Sequence, residues 1–401
     1  MAERFTPQHF KPRSEAQARD VIRWAADADT PLEVRSAGSK RALGRPGDAG
    51  ARLDLSGLAG IVDYEPEELV ITLGPGTPMA DLNAALAQHN QMLAFEPPDL
   101  GGLWGQAPGG GTIGGIVGTN LAGPRRVKAG AARDFVLGVR GVSGFGELFK
   151  SGGRVVKNVT GYDLSKLMTG SYGTLAALTE LTLKVLPRPE TATTLVLFGL
   201  DLRAACRAMG TAASGPWEPS GLAWLPADAA ASSTVPAVAD GGAAATAIRL
   251  EGPAVSLDHR LTTLRQALPA AASARLAEDE SAALWREVRD VAPLLPSGKD
   301  TPVWRLTVPP ATAPAVLDAN PARAWLCDWA GGLIWLVPDD ANAAPTLAAG
   351  SFALVRAGAA ARTHLPAFSP LDPPLARLTR KVKAQFDPKG VLNPGRLYEN
   401  V

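Results

Sequence analysis

Two cysteines, four histidines and four tyrosines are all that this 401-residue sequence holds of those types. Cys206 and Cys327 are too few for a disulfide framework, or for an iron–sulfur cluster held by this chain alone, and read as two idle thiols in a reducing compartment. His9, His89, His259 and His364 stand too far apart to read as a metal pair, so no metal site is expected. Charge of one sign is lacking too: 40 Lys and Arg stand against 39 Asp and Glu, which excludes a broad nucleic-acid surface and an acidic tail. No apolar run reaches the roughly 18 residues of a membrane span, and the first twenty residues lack the apolar centre of a secretory leader. The expectation is a cytoplasmic protein with no direct membrane insertion and no nucleic-acid partner. The chain has no internal repeat, and its length allows two or three domains with a sizeable core.

Glycine is abundant instead. Ten of the 23 residues from Gly101 to Gly123 are glycine, out of 42 in the chain. Each costs roughly 0.5–1 kcal/mol of backbone entropy relative to alanine, so the cluster needs a geometric reason. Gly109, Gly111 and Gly114 spell G-x-G-x-x-G, with Asp134 twenty residues further on. A dinucleotide fingerprint must leave a buried strand, however, and "GGLWGQAP" cannot be one. A phosphate-binding P-loop is absent as well, since Gly298-Lys299 is followed by Asp300. What remains is a set of glycine turns whose N–H groups cradle anions and whose missing side chains admit a flat ring. "RSAGSK" (35–40) has that composition at a strand end.

Along the chain, Ser14 and Gln17 form a capping-box pattern ahead of Ala18, Val21, Ile22 and Ala25 at helical spacing. "PLEVR" and "ELVITL" read as strands, and Thr77-Pro78 as the cap and first residue of a helix with Met79, Leu82, Ala85 and Leu86 inward. Residues 133–159 read as a hairpin, and 161–187 as helix, turn and strand. "PRPE" (187–190) marks a boundary. Beyond it, "TTLVLFGL", "AAATAIRLEG", "TPVWRLTVP", "ARAWLCDW" and "GGLIWLVP" read as strands, alternating with helices at "DLRAACRAMGTAAS" and "SLDHRLTTLRQAL". That texture predicts an α+β unit with helices on one face of a sheet.

Four segments together carry a resemblance: "VRSAGSK", "APGGGTIGGIVGTNLAGP", "VVKNVTGYDLSKLMTGSYGTLAALTELTLKVLP" and "FDPKGVLNPGRLY". The chain resembles the FAD-linked oxidases of the vanillyl-alcohol-oxidase type. Within them, "KNVTGYDLSKL", "DWAGGLIWL" and "NPGRLY" make it most similar to the FAD-binding subunit of bacterial glycolate oxidase. The resemblance is strong over 1–187 and the tail, and weak over 191–350 apart from "CDWAGGLIWL". It implies an α+β fold: a two-subdomain FAD-binding domain (1–187), an α+β cap domain with an antiparallel sheet covered by helices (191–365), and a tail (366–401) returning to the FAD domain. It implies that Ser36, Ala37, Gly38, Ser39 and Lys40 wrap the FAD pyrophosphate. Gly111, Thr112, Ile113, Gly114 and Gly115 would pass close to pyrophosphate and flavin, with Asn120 and Gly123 supporting the pocket. Gly170, Gly173 and Thr174 would line the adenosine side, and Asn393 would sit near the flavin ring. Some relatives bind flavin covalently through a histidine in the first loop. Ser39 and Lys40 stand there instead, so the FAD is expected to be noncovalent.

Oxidation of a 2-hydroxy acid needs a hydride path to flavin, a base and a cation for the carboxylate. The His-Gly-Asp-Gly-Asn-x-His type motif of related D-2-hydroxy-acid enzymes is missing here. The expected partners are therefore a sister FAD subunit that carries the oxidation and an iron–sulfur subunit. A self-sufficient dehydrogenase of another hydroxy acid or alcohol, and a non-catalytic structural subunit, remain open. Arg356 at the end of "SFALVR" and Tyr162 are weak catalytic candidates, each with a structural alternative: a strand-end salt bridge for Arg356, packing for Tyr162. Arg125 and Arg126 are candidates for phosphate contact, Asp328 lies among tryptophans, and Lys157 is a candidate structural partner of Asp163.

Overall fold

The computed structural model describes residues 8–47, 49–153, 161–399 and 401. Ser14 caps the helix Glu15–Asp27 by accepting the Gln17 N–H at 3.2 Å. Gln17 Oε1 in turn accepts the Arg13 N–H at 2.7 Å, one residue upstream of the expected return bond. Ala18, Ile22 and Ala25 of this helix enter a small core with Leu32, Leu53 and Val142.

Strands Gln8–Phe10, Ala51–Asp54 and Leu32–Arg35 form a three-stranded parallel sheet with Ala51–Asp54 in the middle. A five-stranded antiparallel sheet follows in the order Ile61–Glu65, Val70–Leu73, Ala176–Lys184, Val136–Ser143, Leu148–Gly152. The hairpin expected over 133–159 is present as far as Gly153, and residues 154–160, Lys157 among them, lie outside the described residues. The helix Met79–Gln88 begins one residue later than Thr77-Pro78 suggested, with Pro78 as its cap. The Thr77 hydroxyl instead donates to Gly74 O at 2.7 Å and accepts the Gly60 N–H at 2.9 Å, so it ties two turns together. "PRPE" is pinned rather than free: Leu186–Pro187 pairs with Gln91–Met92, and the Arg188 N–H donates to Asn90 O at 2.8 Å.

From Thr191 to Arg356 the strands join one antiparallel sheet of eight. Its order is Ser273–Leu276, Thr191–Phe198, Ala245–Gly252, Gly221–Leu225, Ala322–Asp328, Leu333–Pro338, Val303–Thr307, Ser351–Arg356. Helices cover both of its faces, not one. Leu195, Leu197, Ile248 and Leu250 share a core with Ala205, Met209 and Leu261 of helices Leu202–Ser214 and Ala254–Ala267. Val196, Ala247 and Val337 point the other way, into a core with Leu284 and Trp285 of helix Glu278–Arg289 and with Phe95, Ile113 and Ile116. Strands buried on both faces read as continuous apolar runs, and so do not reveal which face carries a helix.

The tail crosses back to the first sheet. In the helix Pro373–Phe386, buried Lys383 donates to Asp387 Oδ2 at 2.6 Å and to Thr174 O at 2.7 Å. Leu32 N–H then donates to Val391 O at 2.7 Å, and Asn393 N–H to Leu32 O at 3.0 Å, which brings Asn393 beside strand Leu32–Arg35. No helix among the described residues is long and apolar enough to cross a membrane.

Candidate functional site

Strand Leu32–Arg35 ends in the turn 36–40, and that turn forms one wall of a cleft of about 420 Å³. Gly38 takes φ +76°, a conformation open mainly to glycine. The N–H groups of Ala37, Gly38, Ser39 and Lys40 donate to no acceptor among the described residues, so the turn presents a row of free donors. Among the described residues, five cations line the cleft (Arg35, Lys40, Arg41, Arg362 and Arg396) against one carboxylate, Glu33. Glu33 is already occupied by Arg41 at 2.6 Å and Arg52 at 3.1 Å. Arg35 Nε is buried with no hydrogen-bond partner. Burial depresses the Lys40 ammonium to about 8, only partly offset by Asp99, and its one hydrogen bond is a long one to Ser39 Oγ at 3.5 Å. Such a wall suits an anion.

The opposite wall is the short helix Ile113–Thr119, capped by Thr112. Gly114, Gly115, Gly118 and Thr119 face the cleft, so that surface is almost bare backbone. The glycine at 114 answers packing behind it: a Cβ there would lie 2.6 Å from the Pro75 carbonyl oxygen. Gly111 and Gly115 sit under the Lys40 side chain. Glycine is a poor helix former, so a glycine-filled helix escaped sequence reading.

Of the residues singled out from the sequence, Ser36 through Lys40, Thr112, Gly114, Gly115, Gly173 and Asn393 come together around the cleft. Gly111 adjoins it through Lys40. The others hold the walls from behind. Ile113 is fully buried, and Asn120 ends the helix at φ +50° and accepts the Arg133 N–H. Gly123 O accepts the Trp329 indole N–H at 3.0 Å, Gly170 N–H donates to Val117 O, and Thr174 O receives Lys383. Asn393 spends its amide on the backbone: Oδ1 accepts Val34 N–H at 2.8 Å, and Nδ2 donates to Val34 O at 3.1 Å and Tyr172 O at 2.7 Å. Arg362 and Arg396 went unnoticed in the sequence, although Arg396 sits inside the "NPGRLY" run.

The weak catalytic candidates lie elsewhere. Tyr162 is 92% exposed and does not line the cleft. Arg356 is buried, but it donates to Thr301 O at 2.9 Å, to Leu103 O and to Ser297 Oγ rather than to a salt-bridge carboxylate. Arg125 meets no open anion site either, because it pairs with Glu251 and Glu96. Arg126 lies over the Trp329 ring, 4.7 Å from its centroid. Asp163 pairs with Lys166 at 3.1 Å and caps the helix Leu164–Met168.

Residues 7–152 match the family model described as an FAD binding domain. The chain is 37% identical over 381 residues to glycolate oxidase subunit GlcE of Escherichia coli (strain K12), covering 94% of this chain and 96% of that protein. It is 29% identical to glycolate oxidase subunit GlcD of Bacillus subtilis (strain 168) over 55% of this chain and 47% of that one. A solved structure of 4-ethylphenol oxidase from Gulosibacter chungangensis, in complex with isoeugenol, superposes with a TM-score of 0.68 at 14% identity, covering 98% of this chain and 89% of that one. The fold is the α+β fold of the vanillyl-alcohol-oxidase type. The chain belongs to the family of glycolate oxidase subunit GlcE, and is an FAD-dependent oxidoreductase.

Proposed function

We propose that this chain is the FAD-binding subunit of a glycolate oxidase complex, holding its FAD noncovalently and working beside a sister FAD subunit and an iron–sulfur subunit to oxidise glycolate to glyoxylate. The observation that carries the reading is the likeness to GlcE along nearly the whole of both chains. The cleft supports it. Free N–H groups at Ala37–Lys40, with Arg35 and Lys40, suit a pyrophosphate, and the bare face of Gly114, Gly115 and Gly118 suits a flat ring. No histidine or cysteine among the described residues lines the cleft, which fits a noncovalent ligand.

FAD, when bound, supplies the two-electron acceptor for an alcohol carbon. The residues of this chain hold the cofactor's charge and exclude water: Lys40 and Arg35 neutralise phosphate, and Asn393 locks strand and turn together around it. The test is to express the chain alone and with candidate partner subunits, and to assay glycolate with a dye acceptor. FAD in the isolated chain, and turnover that requires the partners, are the expected results. A chain that takes up no FAD overturns the reading, and robust turnover by the chain alone overturns its subunit part.

A further inference from the structure

Trp329 lies beyond the cleft and is held at two points. Its indole N–H donates to Gly123 O at 3.0 Å, and its backbone N–H to Asp328 Oδ1 at 2.7 Å. Two guanidinium groups rest against this fixed ring. Arg126, from the short helix after the glycine-rich segment, stands 4.7 Å from the centroid. Arg305, from the middle of strand Val303–Thr307, stands 5.1 Å from it. Cations near one another repel, so sharing one ring is costly unless an anion joins them.

Neither arginine has a carboxylate partner in an ion pair among the described residues. Arg305 makes one long hydrogen bond, to Thr307 Oγ1 at 3.4 Å. The neighbouring acids are committed elsewhere. Glu96 takes Arg249 and Arg125, Glu251 takes Arg125, and Asp134 accepts the Ala131 N–H. Asp328 is buried and bound to the Trp329 N–H. Burial and Arg126 both push Arg305 down, to about 10, while Tyr172 and Asp328 pull it back up. Tyr172 also lines the cofactor cleft, and its hydroxyl makes no hydrogen bond among the described residues. Tyr172 is therefore within electrostatic reach of Arg305 as well as lining the cleft.

We propose that Arg126 and Arg305, laid against Trp329, form a receptor for the carboxylate of a small 2-hydroxy acid, with the Tyr172 phenol beside it. The proposal rests on the glycolate oxidase reading for the identity of the acid, and it gives this chain an acid-binding site of its own. A planar guanidinium fork matches a carboxylate in two parallel hydrogen bonds, and two forks at one half-buried place select an anion over neutral alcohols. The site joins one residue from each side of the molecule, so the bound acid would also bridge the glycine-rich region and the eight-stranded sheet.

The probe is oxalate, a carboxylate that cannot be oxidised at an alcohol carbon, titrated by calorimetry into the purified chain as isolated, with glycolate, sulfate and chloride as parallel arms. FAD content is read from the visible spectrum of the same samples. Oxalate and glycolate should bind saturably and more tightly than sulfate or chloride. Arg305→Gln and Arg126→Gln should each weaken oxalate at least tenfold, and Arg305→Lys by less, with FAD content and melting temperature unchanged. Arg126 sits on a short surface helix, so its variant remains informative if Arg305→Gln fails to fold. Wild-type protein that binds no oxalate, binding equal to that of chloride, or variants that bind like wild type would overturn the site. Loss of FAD from wild type with oxalate binding intact would overturn the glycolate oxidase reading and leave the anion site standing.

Discussion

Glu96 and Arg249 meet in a two-pronged ion pair, Nη1 to Oε1 at 2.9 Å and Nη2 to Oε2 at 2.8 Å. The pair joins the turn after Leu93–Phe95 to the eight-stranded sheet, and Arg125 reaches the same carboxylate at 3.2 Å. Burial alone would raise the Glu96 carboxyl, but Arg249 and Arg125 outweigh it and hold the carboxyl below its ordinary range. Removing one member strands a buried charge. Glu96→Ala should cost about 3–5 kcal/mol in denaturant unfolding. The folded-state pKa is depressed, so the pair's contribution is present above the unfolded value of about 4.3 and is lost as pH falls below it. The stability gap between wild type and Glu96→Ala should close towards pH 3, and a gap independent of pH would contradict the ion-pair account.

Lys40 is the buried cation nearest to the glycine floor. A charged hydrogen bond to phosphate contributes about 1.5–3 kcal/mol, so Lys40→Met should weaken FAD roughly ten- to hundredfold. In the free protein Lys40 loses its proton near 8. Arg35 and Arg396 around the same cleft keep theirs, since burial lowers them only from a much higher starting value. FAD affinity of wild type should therefore fall as pH rises past about 8, and Lys40→Met should flatten that limb. Fluorescence titration at several pH values reads both effects.

Asp328 is a carboxyl raised to about 7, first by burial and then by Glu96, against the pull of the Trp329 N–H, Arg249 and Arg305. Between the unfolded value of about 3.9 and about 7 the folded state holds a proton that the unfolded chain has lost. Stability through this group therefore falls as pH rises across that window. Asp328→Asn keeps an acceptor for the Trp329 N–H and removes the titration. Its melting temperature relative to wild type should rise from pH 4 to about 7 and level off above that, and a constant difference would show that Asp328 stays ionised throughout.

Asn393 and Gly173 form the clip that closes the cleft. Gly173 takes φ +70°, and a Cβ there would stand 2.9 Å from Asn393 Nδ2. Asn393→Ala orphans Val34 N–H, Val34 O and Tyr172 O, at about 1–3 kcal/mol for each group left dry. It should lower stability by several kcal/mol and release FAD, whereas Asn393→Asp keeps the Val34 contact and should lose less. Unchanged FAD affinity in Asn393→Ala would show that the clip does not shape the site.

Local signals were legible in the sequence wherever they were chemically specific. Ser14 announced its helix, the glycine turn 36–40 announced a cleft wall at a strand end, and strands such as Val70–Leu73 and Thr191–Phe198 announced themselves by apolar runs. Long-range pairings left no such mark. Arg126 and Arg305 are far apart in the sequence and are brought together only at the Trp329 ring. Arg362 reaches the cleft from the short helix Ala359–Arg362 after the last strand, and Arg396 from a tail held by the buried Lys383–Asp387 pair. Arg356 and Tyr162 suggested chemistry by residue type alone, and the fold gave one to structural oxygens and the other to solvent.

The proposed FAD site is the cleft between turn 36–40 and the helix Ile113–Thr119. Its most direct test is to strip flavin from the purified chain and titrate FAD back while following flavin fluorescence. Saturable quenching at one FAD per chain, shifted to higher concentration by Lys40→Met, is the expected result. No quenching, or quenching that Lys40→Met leaves unchanged, would contradict it.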